Sequence, residues 1–141
     1  MLLEQKYCTF RLAGQLFGLP VEGVQEILRA QPLTPVPLAN DAIRGLMNLR
    51  GLIVLAIDLR RRLALPPRES PESCKNVVVR TDRGPVALQV DEVGDVISVD
   101  AQTRDKIPQY VSEQARSKLS CAYKLPQELL LVLNSVAAWT I

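Results

Sequence analysis

FRLAGQLFGLPVEGVQEIL, residues 10–28, lies without a gap over VRTDRGPVALQVDEVGDVI, residues 79–97. Pairing Val24 with Val93 sets the offset at 93 − 24 = 69. At that register Arg11/Arg80, Leu19/Leu88, Val21/Val90 and Val24/Val93 are identical, and Glu22/Asp91, Glu26/Asp95 and Ile27/Val96 are conservative. In the first copy Phe17, Leu19 and Val21 alternate with Gly18 and Pro20; in the second, Val86, Leu88 and Val90 alternate with Ala87 and Gln89. Both are period-two strand patterns.

The similarity continues downstream. IRGLMNL (43–49) lies over LSCAYKL (119–125), and LIVLAIDL (52–59) over ELLLVLNS (128–135), now at 133 − 57 = 76. The larger offset gives the second copy about seven extra residues. They fall most naturally in DAQTRDKIPQYVSEQ (100–114), whose Pro108 and polarity suit a long loop or short helix. Each copy then reads as two or three strands, a connection, two more strands and a short terminal helix. Asp58 and Asn134 stand in equivalent places as N-caps. Leu59 and Leu63 pin the first helix before Pro66 and Pro67 stop it, and Val136 and Trp139 do the same for the second.

PPRESPESCK (66–75) is the natural linker. It divides a first subdomain, about residues 14–66, from a second, about 76–141, with the strand at 6–13 and the C-terminal helix packing across. Five short strands are too few to shield both faces of an open sheet, so each copy is expected to close into a small barrel. The expected fold is mainly β, two barrels on a shared hydrophobic core. Leu52 to Ile57, apolar throughout, is expected as the seam strand buried on both faces.

Composition narrows the function. The chain has 141 residues, 48% hydrophobic but only 4% aromatic, so its core is aliphatic. A net charge of +2, spread without a block of like charges, implies no polyanionic partner. Cys8, Cys74 and Cys121 are odd in number and far apart, supporting neither a disulfide framework nor a zinc site. No apolar run approaches a membrane span, and MLLEQKY carries an acid where a secretory leader needs a base, so a cytoplasmic location is expected.

There is no histidine, which removes the commonest general base. Glu22, Glu26, Asp91 and Asp95 lack metal-ligand spacing, and no glycine-rich phosphate motif is present. These observations predict no catalytic site, metal or cofactor. Arg60, Arg61 and Arg62 fan around a helix about 100° apart and read as a solvated face, not a phosphate stripe. Few aromatic rings are available to stack bases.

Arg50 stands apart. Gly51 can take φ > 0, so Leu49-Arg50-Gly51-Leu52 makes a tight turn that lifts the arginine outward, and its counterpart in the second copy is Pro126. The pattern leaves two readings, an inert turn residue or a contact. Glu26, flanked by Val24 and Leu28 on one strand face, is likewise a binding residue, an aggregation-resistant edge, or the surface ion-pair partner of Arg50.

NLRGLIVLAIDLRRRL (48–63), with VQEI (24–27) upstream and VDEVGDVI (90–97) downstream, resembles the CheW-like coupling proteins of bacterial chemotaxis, from about Lys6 to Ala138. The resemblance implies two five-stranded SH3-like barrels with short helices at the repeat ends. It implies a non-enzymatic, cofactor-free scaffold joining chemoreceptor cytoplasmic tips to the related regulatory domain of a CheA-type histidine kinase. Self-association within arrays, membrane contact only through receptors and no nucleic-acid partner belong to the same expectation. Carried over by position, the partner-binding residues are Val24, Glu26, Ile27, Arg50 and Gly51, with Val93 and Val96 on the second barrel and the receptor tip near the inter-barrel groove. The C-terminal VAAWTI implies a short final helix. The residues themselves leave two other classes, a nucleic-acid-binding barrel and a barrel sensing a small ligand in its groove.

Overall fold

The computed structural model describes residues 4–68, 70, 73–135 and 137–139. The first copy forms β1 (Glu4–Leu12), β2 (Gln15–Pro20), a 3-10 turn (Val21–Gly23), β3 (Val24–Arg29), β4 (Ile43–Leu49), β5 (Leu52–Asp58) and the one-turn helix α1 (Leu59–Arg62). The second forms β6 (Lys75–Val79), β7 (Val86–Val90), β8 (Glu92–Asp100), β9 (Arg104–Asp105), α2 (Glu113–Arg116), β10 (Leu119–Lys124) and β11 (Leu129–Leu133).

These strands build two sheets, ordered β8-β1-β2-β11-β10-β9 and β3-β6-β7-β5-β4. Both repeat offsets reappear in the hydrogen-bond registers. Phe10 opposes Val93 in β1/β8 as Val79 opposes Val24 in β6/β3, each element displaced by the first offset. Phe17 opposes Leu131 in the parallel pair β2/β11 as Val86 opposes Leu55 in β7/β5. Even the irregularities correspond: β4/β5 slips between Ile43 and Gly45, and β10/β11 between the matching Leu119 and Cys121. Agreement at bulges is beyond what alternating hydrophobicity alone would produce, so the chain is an internal duplication.

The structure differs from the expected allocation of strands. The β1–β2 hairpin of the first copy inserts between β8 and β11 of the second, and the β6–β7 hairpin inserts between β3 and β5 of the first. Each sheet therefore draws strands from both sides of the 66–75 linker. The crossings are made by the turn at Val21–Gly23 and by Asp91, which separates β7 from β8.

Three apolar clusters follow. Phe10, Leu12, Phe17, Leu19, Val77, Val79, Leu88 and Leu131 are among the buried residues of a central layer between the sheets. Tyr7, Leu16, Cys121, Tyr123, Leu130 and Val132 fill the outer side of the six-stranded sheet, and Met47, Leu49, Val54, Ala56, Val78 and Ala87 that of the five-stranded one. Strand β6 shows the logic: Val77 and Val79 enter the central layer while Val78 enters the outer cluster, so the strand is apolar throughout.

The mainly β, two-unit architecture on a shared core agrees with the expectation, and one sheet has the expected five strands while the other has six. The sixth strand is β9, whose Asp105–Ala122 pairing matches the isolated Thr34–Leu46 bridge of the first copy, and among the described residues no backbone ladder joins the first and last strand of either sheet. Residues 100–114 hold a 3-10 turn, β9 and the start of α2, and the longer insertion sends Ile107, Val111 and Ala115 into the central layer. The matching first-copy loop packs Leu33 against the outer cluster instead.

Only the latter part of the seam strand is buried. Val54, Ala56 and Ile57 are solvent-free, but Leu52 and Ile53 are 56% and 63% exposed because they flank a turn that projects beyond the sheet. Asp58 caps α1 by accepting from the Arg60 amide at 3.0 Å, and Leu59 and Leu63 are fully buried. Asn134 accepts from Ala137 N, yet residues 135 and 137–139 form turns, not the expected helix. Val136 lies outside the described residues.

Candidate functional site

The β4–β5 hairpin closes with two residues in the left-handed region, Arg50 at φ 52° and Gly51 at φ 87°, the geometry matched to strand twist in two-residue hairpins. Asn48 Oδ1 accepts from the Gly51 amide at 2.9 Å and stiffens the turn. A non-glycine residue with positive φ carries steric cost, so the turn holds Arg50 in a conformation an arginine does not favour. The side chain projects from it, 66% exposed.

Arg50 reaches β3, the edge strand at the other side of the same sheet, and engages Glu26 with both terminal nitrogens; Nη1 donates to Oε1 at 3.1 Å. The hydrogen bond from Arg50 holds the Glu26 carboxyl below its ordinary range, and Glu26 raises the guanidinium further. This bidentate clasp bridges two edges that no backbone ladder joins. Of the readings open for Glu26, the ion pair with Arg50 is the one the structure shows.

The other predicted contacts fall at two places. Val24 and its mate Val93 are half-buried against the central layer, while Ile27 and its mate Val96 are exposed on the edge strands β3 and β8. Glu26, Ile27, Arg50 and Gly51 thus lie on one sheet, and Val93 and Val96 on the other. At the equivalent place on that sheet, Pro126 cannot offer a guanidinium to Asp95. Arg11 instead holds Glu128, beside the β10–β11 turn, through bonds of 2.9 and 2.8 Å that lower the Glu128 carboxyl.

Between the sheets opens a groove of about 970 Å³. Leu19, Ile43, Leu46, Ile53, Leu55 and Trp139 form its apolar lining, and the β6–β7 turn with Glu22 forms its charged rim. The edge of β4 beside it is already occupied. Thr34 exchanges two backbone bonds of 2.8 Å with Leu46, an approach that only Gly45 permits, since a Cβ there would sit 2.6 Å from Thr34 O.

At the opposite end the structure overturns the solvated reading of the α1 arginines. Arg60 donates from Nε to Asp91 Oδ1 at 2.9 Å and from Nη1 to the Pro66 carbonyl. Arg62 donates to the carbonyls of Ala137 and Ala138; Arg61 alone remains largely solvated. Four residues are too short a helix to keep a free face when a sheet, a linker and the C-terminal turn surround it. Arg68, only 7% exposed, bridges Asp58 at 3.5 Å and Asp91 at 3.1 Å. Asp91 also accepts from Ala13 N at 2.8 Å. Burial pushes the Asp91 carboxyl up, but bonds from Arg60, Ala13 and Arg68 outweigh it and hold it below the ordinary range. From the sequence Asp91 reads as a solvated acid; the crossing between sheets that encloses it is a tertiary feature that local pattern does not reveal.

The architecture defines a class, an internally duplicated two-sheet β protein with exchanged hairpins. Residues 6–138 match the profile of the CheW-like domain, and the chain belongs to that family. The Chemotaxis protein CheW of Bacillus subtilis is 29% identical over 133 residues, covering 94% of this chain and 85% of that protein. The protein of the same name from Rhizobium meliloti is 31% identical over 109 residues, covering 77% and 70%. The crystal structure of the scaffolding protein TtCheW from Thermoanaerobacter tengcongensis is similar at a TM-score of 0.83 and 26% identity, covering 94% of this chain and 90% of that one.

Proposed function

We propose that this protein is a cytoplasmic chemotaxis adaptor that couples chemoreceptor tips to the regulatory domain of a CheA-type histidine kinase. The observation that carries this is the CheW-like fold over residues 6–138. Its turn Asn48–Leu52 breaks the internal symmetry with an exposed, clasped arginine. Val24, Glu26, Ile27, Arg50 and Gly51 form one protein-contact surface on the five-stranded sheet, and Val93 and Val96 contribute a smaller one on the other. The receptor tip occupies the apolar groove.

The mechanism is geometric. Two partner sites on one rigid body raise the local concentration of kinase at receptor and fix its orientation, with no chemistry in the adaptor. A charged residue such as Arg50 supplies orientation and partner choice more than raw affinity. The chain has no histidine, and no described helix is long and apolar enough to cross a membrane. A nucleic-acid role loses its support, since Arg60 and Arg62 are engaged within the protein.

Reconstitution tests the reading. Purified protein, a receptor cytoplasmic fragment and kinase are combined, with autophosphorylation as readout. The adaptor should enter the complex and alter kinase output. Failure with every receptor of its own organism would overturn the proposal.

A further inference from the structure

The β6–β7 hairpin turn presents two charges that the duplication does not require. Its tip, Asp82-Arg83, corresponds to Ala13-Gly14 in the first copy, so only the second copy carries charges here. The turn is rigid: Thr81 and Gly84 exchange backbone bonds of 3.2 Å, and the Thr81 hydroxyl donates to the Gly84 carbonyl and accepts from the Arg83 amide at 3.1 Å. Both Asp82 and Arg83 line the groove rim, and among the described residues neither side chain has an ion-pair or hydrogen-bond partner. Arg80, beside them, is already committed to the Glu22 and Val24 carbonyls.

The groove also restricts its occupant. Leu46 has given both backbone groups to Thr34, and the Ile43 amide donates to Asn40 O, so the neighbouring strand offers no ladder there to an incoming strand. A segment entering this apolar lining must satisfy its own backbone, which a helix does.

We propose that Arg83 is the specificity residue of the groove. It pairs with a carboxylate flanking the apolar stripe of an amphipathic helix, and Asp82 beside it penalises a partner whose acid is displaced by one position. This rests on the adaptor reading above, the helix being that of the receptor tip. The pair lies at a solvent-exposed rim, so it selects register and partner more than it adds affinity.

Titration calorimetry of the full chain against a receptor cytoplasmic fragment tests this, with thermal melts as a folding control. Arg83→Glu should weaken binding roughly fivefold at low ionic strength. The difference should fade near 1 M salt, where screening acts over about 3 Å. Arg83→Lys should bind nearly as the parent does. Ile53→Asp, at an exposed groove position, should weaken binding at least roughly tenfold irrespective of salt. If Arg83→Glu binds like the parent while Ile53→Asp is impaired, the specificity inference is wrong and the groove stands. If Ile53→Asp binds normally, or the parent does not bind, the receptor-groove reading falls and takes the inference with it.

Discussion

The turn Asn48–Leu52 and its counterpart Lys124–Glu128 occupy matching places between strands whose registers agree residue for residue. One puts Arg50 and Gly51 in the left-handed region and clasps the far edge of its sheet. The other carries Pro126, and Glu128 beside it is held by Arg11 from β1. The crossings diverge in the same way. Asp91 is locked by Arg60, Arg68 and the Ala13 amide, while its mate Glu22 is exposed at the groove rim. Strand pairing tolerates little drift, because a one-residue slip turns the apolar side chains to the wrong face. Turns and crossings are free to specialise.

The largest effect should come from breaking the locked crossing. Asp91→Ala leaves Arg60 and Arg68 poorly solvated without a shared carboxylate, and should cost roughly 3 kcal/mol in chemical denaturation. Glu22→Ala, its mate, should stay within about 0.5 kcal/mol. Equal losses would show that the two crossings are equivalent after all.

The turns should differ by less. Gly51→Val forces a β-branched residue to φ 87° and should cost about 1 kcal/mol or somewhat more, whereas Gln127→Ala at the equivalent place should be near neutral.

Acid should loosen the clasps and the locked crossing together. Glu26, Asp91 and Glu128 all have lowered folded-state values, so their stabilisation is present above the unfolded carboxylate range of about pH 4 and is lost as pH falls through the folded values. Asp91→Asn should flatten the acid limb of a pH–stability profile more than Glu26→Gln.

The smallest stability effect belongs to Arg50. Arg50→Glu should leave the melting temperature nearly unchanged while reducing incorporation into the receptor–kinase assembly. A large fall in melting temperature would mark the clasp as structural.

Much of this was legible in residue patterns. Both repeat offsets, the Asp58 cap and the Arg50–Gly51 turn follow from local rules, and local rules act wherever the residues sit. Strand exchange was not legible, because alternation identifies a strand without naming its neighbour, and β2 finds β11 across more than a hundred intervening residues. The engagement of Arg60 and Arg62 was hidden for a related reason. Helical geometry gives their spread around α1 but says nothing of the linker and turn that enclose it. Glu26 and Arg50 were each singled out, and only the sheet's curvature reveals that they meet.

The exchanged hairpins also bear on how the protein is made. Translation releases β1 and β2 first, yet their flanking neighbours β8 and β11 are among the later segments synthesised. Neither sheet can be completed from residues on one side of the linker, so the nascent chain must keep an unfinished apolar hairpin in waiting. Such long-range pairing makes for slow maturation and exposes sticky edges meanwhile. A ribosome stalled near residue 70 would therefore carry not half of a working adaptor but a polypeptide awaiting its complement.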